Sequence, residues 1–254
     1  NYLFVTESEN IMSLDFDSAR LPNKCLKPEH HEWRAQLRRF FDREVIPFAA
    51  QWDEDGHIPD ELWPKSAAVG ILGLGYPEEF GGVSEGIDLW YGIILNEEMA
   101  RIAVGGVGAT LMVHGIGLPP VINFGSDEVK QMVAPPVLAG TKRISLAITE
   151  PGAGSDVAHI TTTARLDGDH YVVNGSKTYI TGGMNANWFT TAVRTGGEGA
   201  SGVSTLLIPA DTEGVSRTAL DKKQGWWCSD TATIYFDNAR VPAGNLIGQE
   251  NKGF

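Results

Sequence analysis

The stretch Thr149–Asp156, reading TEPGAGSD, follows the apolar run ISLAI and contains Pro151, Gly152 and Gly154. Glycines permit positive φ and close backbone approach, so successive amides in such a bend can face an anion or the polar edge of a ring. From the pattern alone, a plain glycine-rich connector between strands is the favoured reading. GVSEG, Gly82 to Gly86, matches the GxSxG turn that presents a nucleophilic serine, here Ser84. Such a turn follows a hydrophobic strand, whereas PEEFG precedes this one, so an ordinary turn is the better reading. The histidines His30, His31, His57, His114, His159 and His170 show no HExxH or metal-finger spacing, and no metal site is expected. His114 is expected to be buried or to line a pocket, and the others to lie on the surface. No GxGxxG follows a strand, which leaves a Rossmann site unsupported. The acids Glu78, Glu79, Glu97 and Glu98 read best as solvated or salt-bridged, because charges are rarely buried.

Two kinds of element must position these residues. From Glu29 to Trp52 the apolar residues recur at spacings of three and four, which predicts an amphipathic helix with Pro28 in its first turn and a kink at Pro47. Further helices are expected over Asp60–Leu74 and Ile87–Arg101, and after a Ser126 cap in a helix that Pro135 and Pro136 close. Beyond Gly140 the pattern changes to short β-branched runs between Gly, Asp and Asn turns. Strands are expected at Ile144–Thr149, Thr161–Leu166, Tyr171–Val173, Asn187–Arg194, Val203–Ile208, Val215–Ala219 and Thr231–Phe236. LDGDH signals a hairpin, and Thr195–Gly202 a mobile hairpin loop. A helical half followed by a strand half predicts an α+β multidomain chain.

The 254 residues carry 20 Lys+Arg against 32 Asp+Glu, a net charge of −12, with 42% apolar residues. That balance suits a globular chain and argues against a nucleic-acid surface. Cys25 and Cys228 are too few and too far apart for a disulfide framework or a CxxC site, so a reducing compartment is expected. The start shows no secretory signal, and residues 1–11, ahead of Met12, are open to an origin in an expression vector. Ile102–Ser126 has the length of a membrane span and no formal charge, but its glycines, prolines and His114 dilute it. A buried helix pair is the expectation, with no membrane span. ENKGF ends without a cap or polar tail, as expected where a further helical segment follows.

TEPGAGSD is followed by NGSKTYITGG (Asn174–Gly183), NWF (Asn187–Phe189) and FDNARVPAGNLIGQENKGF (Phe236–Phe254). With REVIPFAAQWDEDG, GYPEEFGG and NEEMAR upstream, this combination resembles the acyl-CoA dehydrogenase family from about Leu21 to the last residue. The resemblance implies an N-terminal extension over 1–20, an all-α domain over 21–141, and a β-barrel or β-sandwich-like middle domain over 142–254. A C-terminal helical bundle is missing from the chain. It also implies FAD as cofactor. Leu146, Ala147, Ile148, Thr149, Gly154 and Ser155 would lie along it, with amides and the Thr149 hydroxyl at the polar edge of the isoalloxazine. Tyr179, Ile180 and Thr181 would pack on the face away from substrate, the Thr181 hydroxyl meeting N5. Many relatives carry Trp where this chain has Tyr179, which keeps the stacking but reduces its area. By itself Tyr-Ile-Thr reads as strand core, and Trp188 as core rather than cofactor contact. Ser155 would also meet the pantetheine arm of the substrate.

The reaction implied is α,β-dehydrogenation of an acyl-CoA thioester to the trans-2-enoyl-CoA. A carboxylate takes the α-proton while the β-hydrogen leaves as hydride to flavin N5, and an electron-transferring flavoprotein receives the electrons. The base is a glutamate expected beyond Phe254, so no catalytic residue is assigned in this chain. Glu97 or Glu98 near the floor of an acyl pocket is the alternative to a salt-bridged face. The implied assembly is a homotetramer or homodimer through the missing bundle, in the cytoplasm or a mitochondrial matrix. Rival expectations are an acyl-CoA oxidase or flavin monooxygenase relative using oxygen, a non-catalytic acyl-CoA-binding module, and a serine hydrolase at Ser84.

Overall fold

The computed structural model describes Asp17, Arg20 and residues 22–253. Expectations for residues 1–16 lie outside the described residues. Two compact units share the chain. A helical unit runs to Leu111 and also takes Leu138–Gly140 and Gln224–Ser229; a sheet unit takes Met112–Val137, Thr141–Lys223 and the chain from Asp230 onward.

The helical unit contains α1 (Pro28–Glu44), α2 (Ile46–Asp55), α3 (Leu62–Ala68), α4 (Leu89–Ala100) and α5 (Gly105–Leu111). Trp33, Leu37, Phe40 and Phe41 form the buried stripe of α1, as their spacing requires. The expected kink is a full break: Val45 leaves helical geometry at φ −128°, ψ −60°, and Pro47 sits in the first turn of a new helix. Gly56, at φ +68°, ends that helix in the left-handed region that a glycine adopts without strain. The helix expected over Asp60–Leu74 is shorter, Leu62–Ala68, because the chain turns at Gly70 (φ +92°) to bury Ile71 and Leu72.

Three cross-links join α1 to α4. His30 Nδ1 accepts from the Lys27 N–H at 3.0 Å and its Nε2 donates to Asp88 Oδ1 at 3.0 Å, while that carboxylate also caps α4 at the Trp90 N–H. The expectation of a surface His30 is thus corrected: it is buried as a connector. Trp33 Nε1 donates to Tyr91 O at 3.2 Å. Glu98, fully buried, accepts from Arg34 at 2.9 Å, from Arg38 at 3.0 Å on each oxygen, and from Arg101 at 3.3 Å. Because the linked pairs ascend together in number on both helices, α1 and α4 run parallel. Asp17 and Arg20, placed by sequence in an extension, join this cluster through Arg38, Glu97 and Glu98. Burial pushes the Glu98 carboxyl up, but the bonds from Arg38 and Arg34 outweigh it and hold the pKa below the usual value. The salt-bridged reading of Glu97 and Glu98 is the one the geometry displays.

The sheet unit opens with α6 (His114–Phe124) and α7 (Asp127–Leu138). Ser126 caps α7 at the Val129 N–H, 3.3 Å, as expected, but Pro135 and Pro136 lie inside the helix and do not close it. The apolar stretch considered as a membrane span is divided between α5 and α6 at Met112–Val113. The eight strands are β1 (Ile144–Ala147), β2 (Thr163–Asp167), β3 (His170–Thr181), β4 (Trp188–Arg194), β5 (Val203–Pro209), β6 (Val215–Ala219), β7 (Thr231–Pro242) and β8 (Leu246–Ile247). They form one sheet in the order β6-β7-β3-β2-β4-β5-β8, with β1 parallel to β4. Core side chains from β1, β2, β3, β4, β5 and β7 meet in one cluster around Phe189, Leu206, Ile234 and Val241, so the sheet wraps on itself in the manner of a barrel. LDGDH is the hairpin expected, with Asp167 paired to His170. The loop 195–202 joins β4 to β5 and is held by Arg194, which donates to Gly197 O and Gly199 O. Pattern reading shortened β3 and β7, whose second halves contain the polar residues NGSK and DNAR, and it missed β8.

Packing assigns residues from either side of 141/142 to each compact unit, for physical reasons. Helix α6 covers one face of β1 and β4: Thr190 Oγ1 donates to Gly117 O at 2.6 Å, and a Cβ at Gly117 would lie 3.1 Å from the Ser145 carbonyl carbon. That cover is why β4 is buried on both faces from Phe189 to Val193, its two threonines included. Within the helical unit, the Cys228 N–H donates to Asp53 Oδ1 at 3.0 Å and Cys228 packs where a Cβ on Gly106 would fall, which ties Gln224–Ser229 to the helices.

Two outcomes are expected. Glu98→Gln removes the buried anion shared by three guanidiniums and lowers the urea stability of the helical unit at pH 7 by about 2–4 kcal/mol. A carboxyl whose folded pKa is depressed contributes fully above its unfolded value and loses that contribution as pH falls, so the gap between wild type and variant narrows on acidification from pH 6 to 3. Gly117→Val overpacks α6 against β1 and costs the sheet unit about 1–3 kcal/mol, read from the same urea titration by tryptophan fluorescence.

Candidate functional site

The site is built on the end of β1, the bend that follows it, and the second half of β3. Thr149 O accepts the Thr178 N–H at 2.8 Å, and Ser145 Oγ lies 2.9 Å from where a Cβ on Gly182 would stand. The two segments therefore run antiparallel side by side, with Thr181 abreast of Leu146. At about 3.3 Å per residue, Thr149 and Thr181 are no more than roughly 10 Å apart along the strands.

A β-bulge sets which side chains face where. The register of β3 on β7 shifts between Lys177, opposite Ile234, and Ile180, opposite Ala232. Without the extra residue, two positions three apart would face opposite sides; with it, both turn inward, Lys177 and Ile180 alike being buried. The cost falls on Tyr179, a residue held at φ +58° and 64% exposed.

Beneath this surface lies a buried ion pair that sequence reasoning passed over. Lys177 Nζ donates to Glu150 Oε1 at 2.8 Å and to Ile148 O at 2.9 Å. Glu150 also accepts from the Thr161 N–H at 2.6 Å, the Thr161 hydroxyl at 2.8 Å and the Thr162 N–H at 2.9 Å. Burial pushes the Glu150 carboxyl up, but the bonds from Lys177, Thr162 and Thr161 outweigh it and hold the pKa at about 2. Burial draws the Lys177 ammonium below the usual lysine range, with Glu150 opposing. The available signal was one acid and one base in motifs that otherwise, up to Ser155 and Gly183, carry no charge.

The residues expected to bind a cofactor separate by strand alternation. Leu146 and Ile148 line a cavity of about 660 Å³ together with Phe124, Thr190, Gln249 and Lys252. Ala147 and Ile180 are core residues, so only their backbones can meet a ligand. Thr149 and Thr181 are half-buried, and their hydroxyls make no hydrogen bond among the described residues. Gly154 and Ser155 are exposed, their amides donate to no backbone carbonyl among the described residues, and a Cβ at Gly154 would meet only the Thr149 methyl, at 4.0 Å. This donor set fits FAD: unpartnered hydroxyls and amides suit the carbonyl edge of an isoalloxazine, and the Tyr179 ring suits its face. Trp188 is half-buried. Ser84 lies in an exposed turn after a single bridge, Leu74 to Val83, without the strand that an elbow requires.

Residues 27–141 match the family model for the acyl-CoA dehydrogenase N-terminal domain, and residues 145–239 match that for the acyl-CoA dehydrogenase middle domain. The mitochondrial long-chain specific acyl-CoA dehydrogenase of Sus scrofa is 37% identical over 234 residues, which is 91% of this chain and 54% of that protein. A probable acyl-CoA dehydrogenase from Mycobacterium abscessus superimposes with a TM-score of 0.86 at 46% identity, over 90% of this chain and 60% of that one. A glutaryl-CoA dehydrogenase from Mycobacterium smegmatis, solved in complex with FADH2, does so at 0.81 and 27%, over 92% and 57%. The chain thus spans a little over half the length of such relatives. With both domain models matched in order and the solved relatives sharing the same arrangement of strands and helices, this chain belongs to the acyl-CoA dehydrogenase family.

Proposed function

We propose that this chain supplies the flavin-binding surface and part of the substrate pocket of an FAD-dependent enzyme that desaturates acyl-CoA thioesters to trans-2-enoyl-CoA, passing electrons to an electron-transferring flavoprotein. The observation that carries the reading is the pair of partnerless hydroxyls, Thr149 and Thr181, on two segments joined by the Thr178 N–H to Thr149 O bond, the second of which also holds the exposed Tyr179. The FADH2 bound by the Mycobacterium smegmatis relative supports it.

When bound, FAD accepts the β-hydrogen with its electron pair. This chain's residues do the binding and the orienting. The Thr149 hydroxyl and the amides of Gly154 and Ser155 are donors fixed before reaction, where preorganised dipoles stabilise developing negative charge most effectively. Thr181 donates from the adjoining strand, and Tyr179 covers the ring face and excludes water. Ser155 meets the pantetheine arm. No carboxylate of this chain is given the α-proton: Glu98 is fully committed to three arginines and Glu150 to Lys177. The base is a glutamate outside residues 1–254, and the working assembly is a homodimer or homotetramer in the cytoplasm or a mitochondrial matrix.

The test uses the complete protein loaded with FAD, without oxygen, and a series of acyl-CoA chain lengths. Bleaching of the flavin absorption band is expected for at least one member; its absence for all of them rejects dehydrogenation, and peroxide release on admitting air reassigns the acceptor to oxygen. Thr149→Val removes one hydrogen bond of the charge-assisted kind, about 1.5–3 kcal/mol, and so slows bleaching about 10- to 100-fold with the fold intact.

A further inference from the structure

Lys177 is fully buried, and the proposed reaction uses no ammonium there as acid or base. Its bonds run to the Glu150 carboxylate and to Ile148 O. That carbonyl belongs to the peptide whose other end is the Thr149 N–H. The Thr149 N–H donates to no backbone carbonyl among the described residues, while Thr149 O is taken by Thr178. A cation on a peptide oxygen draws electron density from the amide nitrogen, so the N–H at the far end becomes a stronger donor.

The geometry points to Lys177, balanced by Glu150, as a positioning residue that locks the plane of the Ile148–Thr149 peptide and strengthens its N–H toward the electron-rich edge of the flavin. This rests on the reading of Thr149 as a flavin donor made above. The bulge in β3 is what brings the lysine there: with Ile180 kept in the core, an unbulged strand would turn Lys177 to the opposite face. Glu150 has two tasks. It neutralises the ammonium, so that no net charge is buried, and it fastens Thr161 and Thr162 to the back of the bend. A lysine that served only to hold strand register would leave the strength of the Thr149 donor untouched, and that is the distinguishing property.

The experiment compares the complete FAD-loaded protein with the double variant Glu150→Gln/Lys177→Met, which removes both charges while keeping the side-chain volumes. The urea midpoint is expected to stay near that of the wild type, because a buried ion pair and an uncharged substitute of similar shape contribute similarly. The FAD dissociation constant is expected to rise at least tenfold, and the flavin midpoint potential to move to more negative values, since the reduced, more negative ring loses most from a weakened donor. A dissociation constant within twofold of wild type and an unchanged potential would overturn the proposal. Should the double variant not fold, wild-type protein labelled with ¹⁵N-threonine answers the question: the Thr149 amide resonance must shift on adding FAD. Movement of Thr181 without Thr149 defeats the role of Lys177 alone, whereas no FAD uptake by wild type defeats the flavin reading and this inference together.

Discussion

The ion pair between Glu150 and Lys177 is the constraint on which the sheet unit's functional surface depends. It joins the bend after β1 to the second half of β3, two segments 27 residues apart in the chain. A buried pair of this kind adds little net stability over apolar packing, because removing two charges from water consumes most of their attraction. What it adds to the fold is register. An ammonium that must reach both Ile148 O and Glu150 tolerates one alignment of the two strands, and a slip by one residue would expose the lysine and bury an unpaired carboxylate. The depressed Glu150 pKa reports the same fact from the proton's side: in the folded chain the carboxylate is strongly preferred.

The bulge in β3 and the ion pair require each other. Strand parity would place Lys177 and Ile180 on opposite faces, and only the additional residue lets both enter the interior. The strain of that insertion is visible at Tyr179, a non-glycine residue in the left-handed region. Its side chain is turned out of the core, which leaves an exposed aromatic residue in the same segment as Thr181. Core packing, backbone strain and the availability of a flat exposed ring are thus three consequences of one inserted residue.

The helical unit solves a different problem with similar means. Arg34, Arg38 and Arg101 outweigh the cost of burying Glu98, and Asp17, Asp42 and Glu97 in turn balance the arginines. With His30 and Trp33 these contacts fix two parallel helices in register at several heights, where an apolar seam alone would allow sliding. The acids that looked available for chemistry are therefore consumed by architecture.

Composition and periodicity determined that a helical half precedes a strand half, where most elements lie, and, through the combined motifs, which family the chain belongs to. These are local or pattern-level properties, set by spacing within a few residues. Elements were misjudged where a backbone change did not follow from polarity: the turn at Gly70, the prolines carried inside α7, and the polar second halves of β3 and β7. Tertiary structure alone decided which side chains of a motif face a cavity and which the core. Within LAIT it sends Leu146 and Ile148 to a cavity and Ala147 to the core, and within KTYIT it buries the lysine. The reason is that side-chain direction on a strand depends on partner strands and on a bulge defined only against β7, and a buried charge becomes legible only when its counterion, distant in sequence, stands beside it.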